Sequence, residues 1–477
     1  MSRIVLVFQK TINGSSLVSL AEPAGHEKAQ MVAEIDVSKA RGLLEKIRMH
    51  QMPLHGVRDL GTELLEMLKV HPAISEAVLP LLTARQQEEE PIYLWIKGPN
   101  PDLEDLPWEA LYVPDVGFLS ANKLFPVARA EDAFQPNAVV EFIPPLKIMT
   151  VLGTSGQDDM TRISAQQEWE GIYAAVMRSK LNISLHALVC EKDLLAKIKA
   201  IHDEQPWIDG DLLVDREELF GDIRRFAPHI LHFFCHGISY PVPQLHVASY
   251  KNWLLKEPGD IQIEDRQLQQ RADPGKDIWL VSLNCCESAQ WAQAPGSHTV
   301  PMALALVKAG FPAVVGMRDR VDQDLANDFS GLFYDELLND LAARFREAEK
   351  KRIAEVHWAC GLFAARQRIC ARINPHSAFS EAAADAVEWT IPVLYTRLQS
   401  FQIQVAAGAE GRDILRSPAR PRKRRRPGQR GLSSEQIRRL ADEMEELTNL
   451  KEQLGNPVPV VQKINARLAR IGAALKA

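Results

Sequence analysis

Short apolar runs recur along the first 400 positions of the chain, and most are closed by glycine, proline or a polar cluster. SRIVLVFQ (2–9) and SLVSLAEP (16–23), separated by a polar turn, predict a β-hairpin. Helical spacing follows in VSKARGLLEKIRMH (37–50) and in RDLGTELLEMLKVHPAISEAVLPLLTARQQ (58–87), the latter interrupted at Pro72. PIYLWIKGP (91–99) predicts a strand, and LEDLPWEALYV (103–113) a short turn that starts at Pro107 and anchors Trp108 and Leu111 in the core.

From residue 146 the rhythm becomes strand, helix, strand. LKIMTVLG (146–153), NISLHALVC (182–190), HILHFFCHG (229–237), KDIWLVSLNCCESA (276–289) and FPAVVGM (311–317) are apolar runs. Amphipathic stretches lie among them: SAQQEWEGIYAAVMRS (164–179), REELFGDIRRFAP (216–228) and TVPMALALVKAG (299–310). DQDLANDFSGLFYDELL (322–338) opens a long helix expected to run to Arg372, and EWTIPVLYT (388–396) is the last expected strand. Continuous apolar strands separated by helices predict an α/β fold: a mostly parallel sheet with helices on both faces. An α+β N-terminal region precedes it and a small helical hairpin follows. The expected division is 1–145, a core at 146–410, a linker at 411–431 and a C-terminal αα-hairpin at 432–477.

The length, 477 residues, exceeds one ordinary core. No run of about 18 uncharged apolar residues is present, so no membrane span is expected. The start, MSRIVLVFQK, is too short in apolar residues for a secretory segment and is expected to be cytoplasmic. Six cysteines at 190, 235, 285, 286, 360 and 370 show no CxxC pair, which argues against structural zinc and predicts free thiols in a reducing compartment.

Net charge is −6, yet RSPARPRKRRRPGQR (416–430) holds eight Lys/Arg and no acid, with three prolines and a glycine. Like-charge repulsion and proline predict an exposed linker. A solvated hinge is its plainest reading; a contact for nucleic acid or anionic lipid and a protease-sensitive tether are the alternatives, and the absence of interleaved aromatics weighs against nucleic acid. Beyond it, Ile437, Leu440, Met444, Leu447, Leu450 and Leu454 lie at helical spacing, Asn456-Pro457 breaks the pattern, and PVVQKINARLARIGAALKA continues it. So small a hairpin should dock on something, which suggests an adaptor or oligomerisation module.

Open parallel sheets place their chemistry just beyond the carboxyl ends of the strands. Two predicted strands end in reactive residues: one in His236-Gly237, the other in Cys285-Cys286. If they are neighbours, a thiol and an imidazole share one crevice and form a nucleophile and its base. Successive strand residues point to opposite faces, so at most one of the two cysteines faces that crevice, while His232 and His236 share a face and only His236 stands at the strand end. His232 is then a core histidine. Gly237, lacking a Cβ, would let its N–H approach a substrate oxyanion.

These residues resemble the CHAT domain, a caspase-like and separase-like family of cysteine peptidases. ILHFFCHG (230–237) is similar to its histidine strand, LVSLNCCES (280–288) to its cysteine strand, with the catalytic position on Cys286. PMALALVKAGFPAVVGM (301–317), FYDEL (333–337), LPWEAL (106–111) and EWTIPVLY resemble further elements in the same order. The interval of 50 residues from His236 to Cys286 agrees with the caspase pattern. The resemblance implies a cysteine endopeptidase that needs no cofactor or metal: Cys286 attacks a peptide carbonyl, His236 carries the proton, and the amides of Gly237 and Cys286 hold the oxyanion. It also implies a protein or peptide substrate and, by analogy with caspase-like proteins that carry adaptor modules, an activator or adaptor bound through the C-terminal hairpin, in a setting such as bacterial defence or stress signalling.

Where relatives that cut after Arg or Lys carry aspartate, this chain has Asn284, so no basic P1 preference follows. Asn284, Arg318 and Arg320 are candidate pocket residues, with Arg318 and Arg320 otherwise read as solvated rim arginines. The loops 237–276 and 289–300 would shape that pocket, with His298 near it. GTSGQDD (153–159) lacks both GxGxxG and GK[ST] and reads as a turn. The alternative to an enzyme is a catalytically idle scaffold of the same fold.

Overall fold

The apolar runs form strands because their side chains can be buried on both sides of one sheet. In chain order these are β1 (Ile4–Lys10), β2 (Ser16–Glu22), β3 (Ala33–Ile35), β4 (Ile92–Lys97), β5 (Val127–Glu131), β6 (Leu146–Gly153), β7 (Ile183–Val189) and β8 (Ile208–Leu212). They continue as β9 (Ile230–Ile238), β10 (Gln244–Val247), β11 (Ile261–Ile263), β12 (Leu280–Asn284), β13 (Ala313–Met317) and β14 (Pro392–Arg397). The computed structural model of the protein describes residues 4–406 apart from 23–30, 50, 52–53, 84–91, 99, 122–126, 133–138, 155–164, 240–241, 272–276, 295–296, 322 and 374–378; beyond 406 it describes 414–415, 447 and 464–467. The basic segment 416–430, nearly all of the predicted C-terminal hairpin and most of GTSGQDD lie outside the described residues. The chain divides into Met1–Ser417 and a second unit, Pro418–Ala477.

The strand order in the main sheet is β8-β7-β6-β9-β12-β13-β14-β5-β4-β1-β2-β3, and β10 and β11 extend from β9 as a small antiparallel flap. Pairing is parallel from β8 to β13 and from β14 to β1, and antiparallel at β13–β14 and along the β1–β2–β3 end. The expectation of a mostly parallel α/β sheet is met, and so is the hairpin of the first two strands.

Helices cover both faces. In chain order we label α1 (Ser38–Arg48), α2 (Gly56–Lys69), α3 (Ala165–Arg178), α4 (Lys192–Glu204), α5 (Arg216–Phe226), α6 (Met302–Lys308), α7 (Gln323–Lys351) and α8 (Cys360–Ile373). Ile148 and Leu152 of β6, Ile230 and Phe234 of β9, Leu280 of β12 and Val315 of β13 pack with Trp169 and Ile172 of α3 and Phe329 and Phe333 of α7. The alternate residues, Met149, Val151, Leu231, Phe233, Cys235, Val281, Leu283 and Cys285, pack with Leu219 and Ile223 of α5 and Leu304 and Val307 of α6. The period of two thus sorts each strand between two cores. Among the described residues no helix is long and apolar enough to cross a membrane.

The helix expected to reach Arg372 stops at Lys351. Arg352 adopts φ 71°, and Ala354–Val356 pairs as a strand with Phe401–Val405 before α8 begins. Neither glycine nor proline marks this break; a partner strand from the far end of the unit competes with the helix and wins.

The LPWEAL element anchors the N-terminal part. Trp108 is fully buried against Phe8, ring centroids 4.8 Å apart, and its Nε1 donates to the Leu103 carbonyl at 2.7 Å. Glu109 accepts from Arg129 Nε (3.2 Å) and NH2 (3.0 Å) and lies 3.8 Å from Arg318. Burial opposes its charge, but the arginines around it hold the Glu109 carboxyl below its ordinary range. Arg366, buried with no such close carboxylate, is pushed down to about 10, chiefly by desolvation.

Candidate active site

β9 and β12 are parallel neighbours, with Ile230 opposite Leu280 and Phe234 opposite Asn284. That ladder ends there: Cys286 lies in the turn two residues beyond β12, and His236 lies in the last part of β9, where the strand pairs with β10. Cys235 and Cys285 point into the α5/α6 core, their sulfurs 3.2 Å apart, so alternation along β9 turns His236 to the α3/α7 side, while Cys286 stands in the turn after β12. Both are partly exposed, while the other five cysteines are buried.

Gly237 explains how closely the two strand ends approach. A Cβ on it would lie 2.1 Å from the Cys286 carbonyl oxygen, a distance no side chain tolerates. β10 runs antiparallel to the end of β9, with His246 opposite His236 and Leu245 opposite Gly237. Leu245 and Val247 enter the α5/α6 core, which turns His246 to the same side as His236. Burial, then the nearby His236, lowers the His246 pKa below its ordinary value.

The Cys286 thiol faces the Val321 carbonyl oxygen at 3.9 Å. Burial raises its pKa above the ordinary thiol value; the Val321 contact and Arg320 work in the opposite direction, and Cys285 and Glu287 add to the rise. Its surroundings therefore favour the neutral thiol over the thiolate.

The turn after Cys286 is tied on several sides. Glu287 adopts φ 59°, a left-handed conformation uncommon outside glycine. Its carboxylate accepts from Ser239 Oγ (3.0 Å), just past β9, and from Arg320 Nε (2.8 Å), just past β13. Ser288 Oγ donates to the Leu283 carbonyl (3.2 Å) and accepts the Met317 N–H (2.9 Å), while the Ala289 N–H donates to the Met317 carbonyl (2.9 Å).

On the α3/α7 face of β9 and β12 lies a buried polar group. Glu168 Oε1 is 2.8 Å from His232 Nε2 and accepts from Asn284 Nδ2 at 3.0 Å. Asn284 Nδ2 also reaches the Ala326 carbonyl (2.9 Å) and Ser330 Oγ (3.0 Å). Asn284, a candidate for the substrate pocket, is 2% exposed, and its amide is already engaged inside the core. Arg318, read as a pocket or rim arginine, is 1% exposed, bonded to Asp319 (3.0 Å) and Thr390 (3.1 Å). Both lie inside because β12 and β13 are central strands whose final residues are covered by α7 and the 388–391 turn. Arg320 does stand on the rim, 87% exposed. The His298 side chain lies outside what is described.

Sequence reasoning missed Glu168, Ser239, His246, Glu287 and Val321. Only Glu287 carried a signal, its place directly after the candidate nucleophile. Among the described residues no group of His, Cys, Asp and Glu could hold a metal ion.

The family model of the CHAT domain matches residues 58–359. Two solved structures, both of the Saccharomyces cerevisiae separase–securin complex, at 2.6 and 3.0 Å resolution, are similar at 10% and 9% identity, each with a TM-score of 0.41. They cover 84% and 85% of this chain and 30% of the matched chain, so the protein spans less than a third of that chain's length. No curated protein matches the sequence.

Proposed function

The chain belongs to the CHAT domain family, and from that premise we propose that it is a cysteine endopeptidase in which His236 and Cys286 form the catalytic dyad. The observation that supports this reading is the parallel pairing of β9 with β12 together with the packing of Gly237 on the Cys286 carbonyl, which makes the chain ends that carry His236 and Cys286 neighbours. His236 takes the thiol proton as Cys286 attacks the scissile carbonyl, then delivers it to the leaving amine; water releases the acyl-enzyme with His236 again as base. The backbone amides of Gly237 and Cys286 are the proposed oxyanion donors. The raised thiol pKa makes the base indispensable at neutral pH. Arg320 on the rim is the charged group best exposed to an incoming peptide, and Asn284 and Arg318 serve the core instead.

The substrate in this reading is a protein partner, with the C-terminal segment 432–477 as a recruitment or regulatory module. Free thiols fit a reducing cytoplasm, and defence or stress signalling is the proposed setting. A second reading, an idle scaffold, is favoured by one observation: the thiol faces the Val321 carbonyl.

Iodoacetamide labelling read by mass spectrometry separates the two. An enzyme gives selective labelling of Cys286 that weakens in His236→Ala, and cleavage of a peptide library that vanishes in Cys286→Ala. Equal labelling of several thiols, indifferent to His236, would leave the scaffold.

A further inference from the structure

Val321 belongs to the stretch Arg318–Val321, which leaves β13 on its way to α7. Holds of unequal strength fix this stretch, among them a partly exposed pair of Asp319 with Arg48 at 3.3 Å. On the inner side, Arg318 is buried, its guanidinium bonded to Asp319 and Thr390, and its backbone N–H donates to the Ile391 carbonyl at 2.9 Å. On the outer side, Arg320 Nε donates to Glu287 Oε1 at 2.8 Å while 87% of its side chain is exposed. Exposed ion pairs are weak and are screened by salt; buried guanidinium anchors are not.

Glu287 is unusual among the residues of this rim. It directly follows Cys286, its backbone is left-handed, and its two carboxylate oxygens reach different segments: Ser239 beyond β9 and Arg320 beyond β13. One side chain therefore ties together the three segments that leave β9, β12 and β13, and the Val321 carbonyl lies 3.9 Å from the Cys286 thiol.

We propose that Glu287 is a positioning residue that, through Arg320, holds the Val321 carbonyl over the Cys286 sulfur, so that the thiol becomes accessible when the Glu287–Arg320 pair opens. The proposal rests on Cys286 as the reacting thiol. It assigns the exposed pair, rather than the buried Arg318 anchor, as the part that yields.

The test is the pH profile of Cys286 alkylation by iodoacetamide in the full chain, which separates access (the high-pH plateau rate) from ionisation (the midpoint). Opening an exposed pair raises the plateau about two- to fivefold in Arg320→Ala, the range that such a pair's strength converts to. Arg320→Lys, which keeps the charge, leaves the plateau near wild type. Adding about 1 M NaCl raises the wild-type plateau by a similar factor, since the screening length falls to roughly 3 Å, and leaves Arg320→Ala unchanged. Loss of the arginine charge moves the midpoint to higher pH, opposite to its effect on the plateau, so the two contributions are separable. A merely structural role would lower the plateau or label the buried thiols as well. A plateau that is unchanged or reduced in both Arg320→Ala and Glu287→Gln, or a wild-type plateau indifferent to salt, overturns the proposal. Failure of the peptidase reading would appear elsewhere, as labelling indifferent to His236→Ala, and would leave this comparison of plateaus intact.

Discussion

Replacing Gly237 by alanine probes the contact on which the dyad geometry depends. The added Cβ would sit 2.1 Å from the Cys286 carbonyl oxygen and 3.5 Å from Cys285 Cβ. The second contact is ordinary; the first needs about 1 Å more room, and the atom it meets is backbone, which cannot rotate away as a side chain can. β9 is held by β12 as far as Phe234 and by β6 as far as Cys235, and its last three residues pair with β10, so the room must come from separating those last residues from the turn after β12. Overpacking of this kind costs about 1–3 kcal/mol, and a displacement of about 1 Å between reacting groups costs about 100-fold in rate. Urea unfolding of Gly237→Ala should show a lower midpoint with an unchanged slope. Iodoacetamide labelling of Cys286 should lose its dependence on His236, and any peptide cleavage should fall by about two orders of magnitude. Stability within about 0.5 kcal/mol of wild type, together with His236-dependent labelling at the wild-type rate, would refute the inference that this glycine exists for close approach.

Three further outcomes follow from the buried polar groups. Glu168→Ala removes the acceptor shared by His232 and Asn284 and should lower urea stability by about 3–5 kcal/mol, as expected when one partner of a buried polar pair is deleted; a loss under about 1 kcal/mol would mean the cluster is solvated. Glu109→Gln leaves Arg129, Arg318 and Arg366 with less compensating charge, so the thermal midpoint should fall, and the second substitution Arg366→Met should restore part of the loss, whereas additive losses would argue against coupling. His229 accepts the Lys147 N–H on Nδ1 at 3.1 Å and stacks on Trp279, and burial, then Lys147, lowers its pKa to about 4. Because the folded value lies below the unfolded one, its contribution is complete above about pH 6.5 and is lost as pH falls towards 4, about 3 kcal/mol in all. Unfolding midpoints measured between pH 7 and 4 should show this slope in wild type and a shallower one in His229→Gln.

Much of the architecture was legible along the chain. β1, β2, β4, β6, β7, β9, β12 and β13 could be read because each is a short apolar run closed by a turn residue, and the faces of β9 and β12 because side chains alternate with a period of two, whereas β3, β5, β8, β10 and β11 carried no such run. That alternation separated Cys285 from Cys286, and position along the strand, since His232 and His236 share a face, put His232 in the core and His236 at the strand end. Gly237 reads in the sequence as a residue for close approach to a substrate oxyanion; in the structure it packs on the Cys286 carbonyl.

Other features depend on partners far away in sequence. Asn284 is a pocket candidate because the resemblance aligns it with the aspartate of relatives, yet α3 and α7 supply Glu168, Ala326 and Ser330 to engage its amide. Arg318 and Arg320, two positions apart, look alike in the sequence, but the 388–391 turn covers one and water surrounds the other. The strand Ala354–Val356 exists because Phe401–Val405 returns beside it. Local patterning determined the elements and their faces, since a strand's alternation is a property of its own backbone. Which strand ends meet, which charges are buried, and that Glu287 bridges three segments around the thiol were decided by the tertiary structure, because each depends on residues tens to hundreds of positions apart being brought within a few ångströms.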